Sequence, residues 1–190
     1  MRMTRVIAGE FGGRSLAVPK SGTRPTTDRV REAMFSRLDH SDDVRGAAVV
    51  DLFAGSGALG FEALSRGASH VTFVESALPA ARVIEDNIRT LGVGTRAEVV
   101  RERAGAFLRR AAATYELALI DPPYDLASGD VNEVLEALLP RLATGATVVL
   151  EFPRRNRTPE WPRGLELVQS KQYGETMLHF VERVSADRVR

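Results

Sequence analysis

The sequence predicts an α/β fold built on one doubly wound, mostly parallel sheet, finished by an antiparallel C-terminal hairpin and preceded by a small hairpin-and-helix extension. Three observations carry that expectation. From residue 47 onward, short apolar runs alternate with stretches of helical periodicity, the pattern of successive βα units. The first of these runs ends in a glycine-rich turn. The length of 190 residues, 44% apolar and 27% charged, supplies one sizeable core but not separate cofactor and substrate domains.

Taken in order, residues 7–18 hold two short apolar runs around Gly12-Gly13, a hairpin pattern. Pro25-Thr26-Thr27 precedes a helix over 28–38, with Thr26 or Thr27 as its N-cap and Val30, Met34 and Leu38 on one face. Residues 47–53 (AAVVDLF) are a continuous apolar run, as in a strand buried on both faces. A helix over 59–65 follows, and Gly67 stops it. The second strand is 70–75; the helix over 77–91 places Ala80, Val83, Ile84, Ile88 and Leu91 at helical spacing, with Gly92 as its stop. A third strand (97–101) and helix (105–113) lead to a fourth strand, 117–120. It runs into Asp121-Pro122-Pro123-Tyr124, where two residues without an N–H must end it. A helix over 131–142 and a fifth strand over 146–152 come next, and 165–172 and 176–182 flank Tyr173-Gly174-Glu175 as a hairpin.

The net charge of +1 conceals an asymmetry. Residues 1–31 carry seven basic side chains (Arg2, Arg5, Arg14, Lys20, Arg24, Arg29, Arg31) against Glu10 and Asp28, whereas the other 159 residues carry 19 basic and 23 acidic ones. A positive end of this kind suits contact with phosphates. A second basic group, Arg154, Arg155, Arg157 and Arg163 around Trp161, reads equally as an extension of that surface or as a solvated loop. The absence of cysteine removes disulfides, cysteine-based zinc sites and thiol nucleophiles. His40, His70 and His179 have no metal-ligand spacing. No apolar run reaches the ~20 residues of a membrane span, and MRMTRVIAGEFGG lacks the apolar core of a signal peptide, so a cytoplasmic protein is expected.

Gly55-Ser56-Gly57-Ala58-Leu59-Gly60 is a G-x-G-x-x-G between strand and helix, and Glu75 ends the next strand. Glycines let the backbone pass close to a ligand, and a carboxylate there accepts hydrogen bonds from the two vicinal hydroxyls of a ribose. NAD and S-adenosylmethionine both contain one, so the turn alone leaves them open. Asp51 favours the second: an acid at the strand end attracts the cationic amino-acid part of S-adenosylmethionine and repels a pyrophosphate. Asp-Pro-Pro-Tyr, across the expected topological switch, points the same way. An exocyclic base amine is a poor nucleophile because its lone pair is delocalised into the ring. Asp121 and the rigidly held Pro122 carbonyl can each accept one N–H and turn the lone pair toward a methyl group, and Tyr124 offers a face for an extruded base. Pro123 completes the rigid loop, and no covalent enzyme nucleophile is needed.

These segments, with Arg5-Val-Ile-Ala-Gly, Arg24-Pro-Thr-Thr-Asp-Arg-Val-Arg-Glu32 and Lys171-Gln-Tyr-Gly-Glu-Thr176, resemble the bacterial RsmD-type 16S ribosomal RNA guanine-N2 methyltransferases, which modify guanine-966, over nearly the whole chain. The turn and the Asp-Pro-Pro-Tyr are common to many amino methyltransferases; the Arg24–Glu32 stretch narrows the resemblance. It implies a Rossmann-like class I methyltransferase sheet, S-adenosylmethionine as methyl donor and Asp121–Tyr124 as catalytic loop. It also implies cofactor contacts from Thr27, Arg29, Asp51, Phe53, Gly55, Ser56, Gly57, Glu75, Ser76 and the Ala104 backbone. Family members often carry Asp or Asn where this chain has Arg103, which leaves Ala104 alone to meet the adenine. Residues 1–27 then form an RNA-gripping extension, with Arg5, Arg14, Lys20 and Arg24 on phosphates, and 28–190 the methyltransferase domain. The expected partner is 16S ribosomal RNA within a small-subunit particle, met by a monomer without metal. The competing readings are an adenine-N6 DNA methyltransferase, a release-factor glutamine methyltransferase, and a non-catalytic RNA-binding assembly factor.

Overall fold

A computed structural model describes residues 3–20 and 27–185. Its elements are β1 (Met3–Arg5), β2 (Ser15–Ala17), α1 (Asp28–His40), β3 (Ala48–Leu52), α2 (Ala58–Ser65), β4 (His70–Val74), α3 (Leu78–Leu91), β5 (Ala97–Val100), α4 (Ala104–Arg110), β6 (Tyr115–Ile120), α5 (Ser128–Leu138), β7 (Leu142–Pro153), β8 (Leu165–Tyr173) and β9 (Thr176–Arg183). The main sheet runs β5-β4-β3-β6-β7-β9-β8, parallel from β5 to β7 and antiparallel through the final hairpin. Chain order reverses between β3 and β6, so the loops after these two strands open into one crevice at their C-terminal ends.

Successive strand residues face opposite cores, because side chains alternate across a sheet. Val49, Phe73, Leu119 and Val149 pack with Phe35 and Leu38 of α1, Phe61 and Leu64 of α2 and Ile84 of α3. Val50, Leu52, Ile120 and Leu150 pack with Phe107 and Leu108 of α4 and Val131, Leu135 and Leu138 of α5. Burial on both faces is why the parallel strands read as continuous apolar runs.

The extension departs from expectation in register. The hairpin pairs Met3–Arg5 with Ser15–Ala17, and the residues expected to start its first strand form the connection. Their donors are used elsewhere: the N–H groups of Ile7 and Ala8 donate to the two Glu62 oxygens at 2.7 and 3.1 Å, that of Glu10 to the Ser65 carbonyl, and that of Phe11 to Ser65 Oγ. At Gly9, φ is +83° and a Cβ would lie 2.0 Å from the Ser65 carbonyl oxygen, so only glycine lets the connection reach α2. Of the two N-cap candidates, Thr27 fills the role, its Oγ1 accepting from the Val30 N–H; Thr26 lies outside the described residues. The helix expected to run to 142 stops at Leu138 and tightens into a 3-10 turn over Leu139–Arg141, where Pro140 has no N–H to continue it. Among the described residues no helix is long and apolar enough to cross a membrane.

Candidate active site

The glycine-rich turn is braced from below by Asp51, 2% exposed at the end of β3, whose Oδ2 accepts the Gly60 N–H at 2.9 Å. Gly57 enters α2 at φ +80°. Gly60 touches β4 so closely that a Cβ would sit 2.3 Å from Phe73 Cε1. The glycine spacing thus serves helix-on-strand packing as well as ligand approach. Between Asp51 and Gly55, Phe53 takes φ +60°, a left-handed conformation costly for a side chain with Cβ.

Glu75 follows β4 and faces the same turn. Its Oε2 accepts the Gly55 N–H and its Oε1 the Ala77 N–H, both at 2.8 Å. Each oxygen keeps a lone pair for a further donor, which is what recognition of two ribose hydroxyls asks for. Ser76 beside it is exposed, and the buried Ser56 offers its carbonyl to Asn87 Nδ2 at 3.2 Å.

Burial pushes the Asp51 carboxyl well above its ordinary range, against the Gly60 N–H bond, and the charge of Glu75 adds to the rise. With the folded-state pKa above the unfolded one, the native protein holds a proton that the unfolded chain releases, and stability falls as pH rises through the window between the two values. Asp51→Asn keeps an oxygen for Gly60 and cannot ionise. Its melting temperature should gain on the parent as pH rises above the ordinary carboxylate range, about pH 4, and a difference independent of pH would contradict this.

Across the crevice, Asp121 leaves β6 half-buried, Pro122 is buried and Pro123 exposed, its carbonyl accepting the Leu126 N–H. Tyr124 Oη lies 3.2 Å from Oγ1 of Thr176, the first residue of β9, which ties the loop to the last hairpin. Ala104 is buried as the first residue of α4, and Arg103 before it is exposed with no side-chain capping bond. Thr27 and Arg29 are both exposed at the start of α1.

The basic end is rearranged by folding. Arg31 is fully buried, bonded to Asp28, Thr4 Oγ1 and the Arg5 carbonyl; burial lowers its pKa, while the charges of Glu62 and Asp28 oppose that. It is therefore a core cation and not part of a phosphate-binding face. Arg5 Nε reaches Asp28 at 3.1 Å, Arg14 donates to the Thr90 carbonyl, and Lys20 is exposed. Arg24 lies outside the described residues.

Three polar residues emerge only from the structure. Glu62 and Ser65 dock the N-terminal connection. Asn87 accepts the Ala17 N–H, donates to the Ala17 carbonyl and also holds Ser56, linking β2 to the glycine-rich turn. Their signal was present as polar residues on otherwise apolar helix faces: Glu62 within ALGFEALS, and Asn87 in line with Ala80, Ile84 and Leu91. Among the described residues no cluster could hold a metal ion.

The family described as Conserved hypothetical protein 95 matches residues 4–182. Ribosomal RNA small subunit methyltransferase D of Escherichia coli (strain K12) is 36% identical over 182 residues, 94% of this chain and 89% of its own length. The YlbH protein of Bacillus subtilis (strain 168) is 37% identical, covering 90% of this chain and 95% of its own. The solved structure of the yhhF product of Escherichia coli superposes with a TM-score of 0.85 at 34% identity, over 97% of this chain and 99% of that one.

Proposed function

The chain belongs to the family described as Conserved hypothetical protein 95, and we propose that it transfers a methyl group from S-adenosylmethionine to the exocyclic N2 of a guanine in 16S ribosomal RNA, directly onto a flipped base. The observation that carries this reading is the meeting of two loops at one switch point: the turn held by Asp51 and Glu75 after β3, and Asp121-Pro122-Pro123-Tyr124 after β6. The donor set fits the cofactor. Glu75 suits the ribose hydroxyls and the Ala104 backbone the adenine, Thr27 and Arg29 are assigned to the methionine end, and Asp51, Phe53, Gly55, Ser56, Gly57 and Ser76 supply the remaining contacts. When bound, S-adenosylmethionine supplies an electrophilic methyl group on a cationic sulfur.

The protein's own part is to prepare the amine. Asp121 accepts one N–H and the Pro122 carbonyl the other, which pyramidalises the nitrogen and aims its lone pair. After transfer the surplus proton on nitrogen passes to the Asp121 carboxylate. Tyr124 stacks on the base, worth ~1–3 kcal/mol against the few kcal/mol that flipping costs. Residues 1–27 act as the RNA-gripping extension of the domain formed by 28–190, with Arg5, Arg14, Lys20 and Arg24 meeting phosphates. The protein acts as a cytoplasmic monomer on a small-subunit particle.

The test is nucleoside mass spectrometry of particles from a strain lacking this protein, before and after incubation with it and S-adenosylmethionine. The expected product is N2-methylguanosine. Methyladenosine, or no methylated nucleoside, overturns the reading.

A further inference from the structure

The fold parts the four arginines that surround Trp161 in the sequence. β7 ends at Pro153 beside the mouth of the crevice: Pro153 pairs with Thr176, whose hydroxyl meets that of Tyr124. The Arg154 N–H donates to the Glu175 carbonyl at 2.8 Å and the Asn156 N–H to the Pro153 carbonyl at 3.0 Å, so a tight turn keeps Arg154 and Arg155 at that mouth. β7 and β8 are both antiparallel to β9 and run in the same direction, so residues 154–164 travel the length of the sheet between them. Leu165 pairs with Arg183 at the far end, and the Gly164 carbonyl accepts the Val184 N–H. Arg163 therefore lies away from the crevice and leaves the group.

The segment near the mouth is a built loop. The Arg157 carbonyl accepts Ser128 Oγ at 2.9 Å and Asn132 Oδ1 accepts the Glu160 N–H at 3.0 Å, both partners on the first two turns of α5, the helix that follows Asp121–Tyr124. Pro159 and Pro162 are buried, and Trp161 stands edge-on to His179 with ring centroids 5.6 Å apart. These contacts use backbone groups and apolar rings, and they leave the side chains of Arg154, Arg155 and Arg157 exposed. Among the described residues Arg154 and Arg155 form no ion pair. Arg157 has one at 3.5 Å to Glu160, a surface pair of the kind worth little. The N-terminal extension lies on the other face of the sheet: Val6, Phe11 and Leu16 pack into the core under α1, and Trp161 against the core under α4 and α5. Two basic segments thus flank the crevice from opposite faces.

We propose that Arg154, Arg155 and Arg157 form a second phosphate-binding surface, which holds the RNA backbone on the side of the crevice opposite the N-terminal extension. The role rests on the ribosomal RNA reading above. Flipping turns one nucleotide about its own backbone, and a hold on the phosphates to both sides keeps the strand from following the base. Guanidinium groups suit that hold, because their forks donate charge-assisted bonds to phosphate oxygens. A loop already fixed by α5 and β9 loses little further freedom when it makes them.

The experiment compares the parent with a full-length variant carrying Arg154→Gln, Arg155→Gln and Arg157→Gln, in binding to small-subunit particles from a strain lacking this protein, at about 50 to about 200 mM salt. Each phosphate contact on a single strand adds roughly 0.7 to the slope of log affinity against log salt, so the variant's slope should be shallower by about 2 and its affinity at about 0.1 M salt about 100-fold lower. Arg→Lys at the same three positions should keep the parental slope, and S-adenosylmethionine affinity should stay within a few-fold in both variants. Hydroxyl-radical cleavage of the particle's RNA should show the backbone protected on both sides of the methylated guanine by the parent and on one side by the Gln variant. Equal slopes for parent and Gln variant overturn the proposal. So does an affinity lost by the same factor at every salt, which is what a merely structural role predicts. An unchanged RNA footprint overturns it too and assigns the loop to a ribosomal protein. A parent that forms no methylated nucleoside on these particles refutes the ribosomal RNA reading, and the surface with it; where the parent does methylate them, the slopes judge the loop alone.

Discussion

Asp121→Ala is expected to lower the rate of methyl transfer by roughly 10³-fold, the middle of the range for a positioned proton acceptor, while S-adenosylmethionine affinity changes by no more than a few-fold. The separation follows from position. Asp121 leaves β6 on the far side of the switch point from the turn that Glu75 and Asp51 hold, so its loss deprives the amine of an acceptor without disturbing that turn. The single-turnover rate and calorimetric cofactor binding should be measured on the same preparation. A variant that methylates at a near-parental rate refutes the role given to the carboxylate. One that loses cofactor binding in parallel makes Asp121 part of the cofactor site instead.

The opposite pattern is expected of Glu75→Ala: cofactor dissociation about 100-fold faster or tighter binding lost to that degree, as for two charge-assisted hydrogen bonds, with the rate at saturating cofactor nearly retained. The variant also strips acceptors from the Gly55 and Ala77 N–H groups, so the turn loosens as the ribose contact goes. Glu75→Gln keeps one acceptor oxygen and should fall between variant and parent. Titration of cofactor affinity and of the saturated rate decides the matter, and an unchanged dissociation constant in Glu75→Ala removes Glu75 from the site.

Much of this was legible because the signals are local. Two prolines end β6 wherever the strand lies in space, and a glycine-rich turn between an apolar run and a helical stretch announces β3-turn-α2 from ten consecutive residues. The hairpin register was not, since residues 7–11 look like any short apolar run until α2 presents Glu62 and Ser65 to their N–H groups. Nor was the fate of the basic segment. Composition counts Arg31 as one more positive charge, but Asp28 and the Arg5 carbonyl draw it wholly inside.

By itself, the sequence determined the succession of βα units, the turn that Glu75 faces and the loop that carries Asp121, because periodicity, glycine and proline act on the chain within a few residues. Only the tertiary structure decided that β3 and β6 are neighbours, that Asp51 braces Gly60, and that Asn87 joins the extension to the turn. Each of these depends on strand order and register between segments far apart in the chain. Those are set by the packing of whole faces against one another, which no local pattern of residues records.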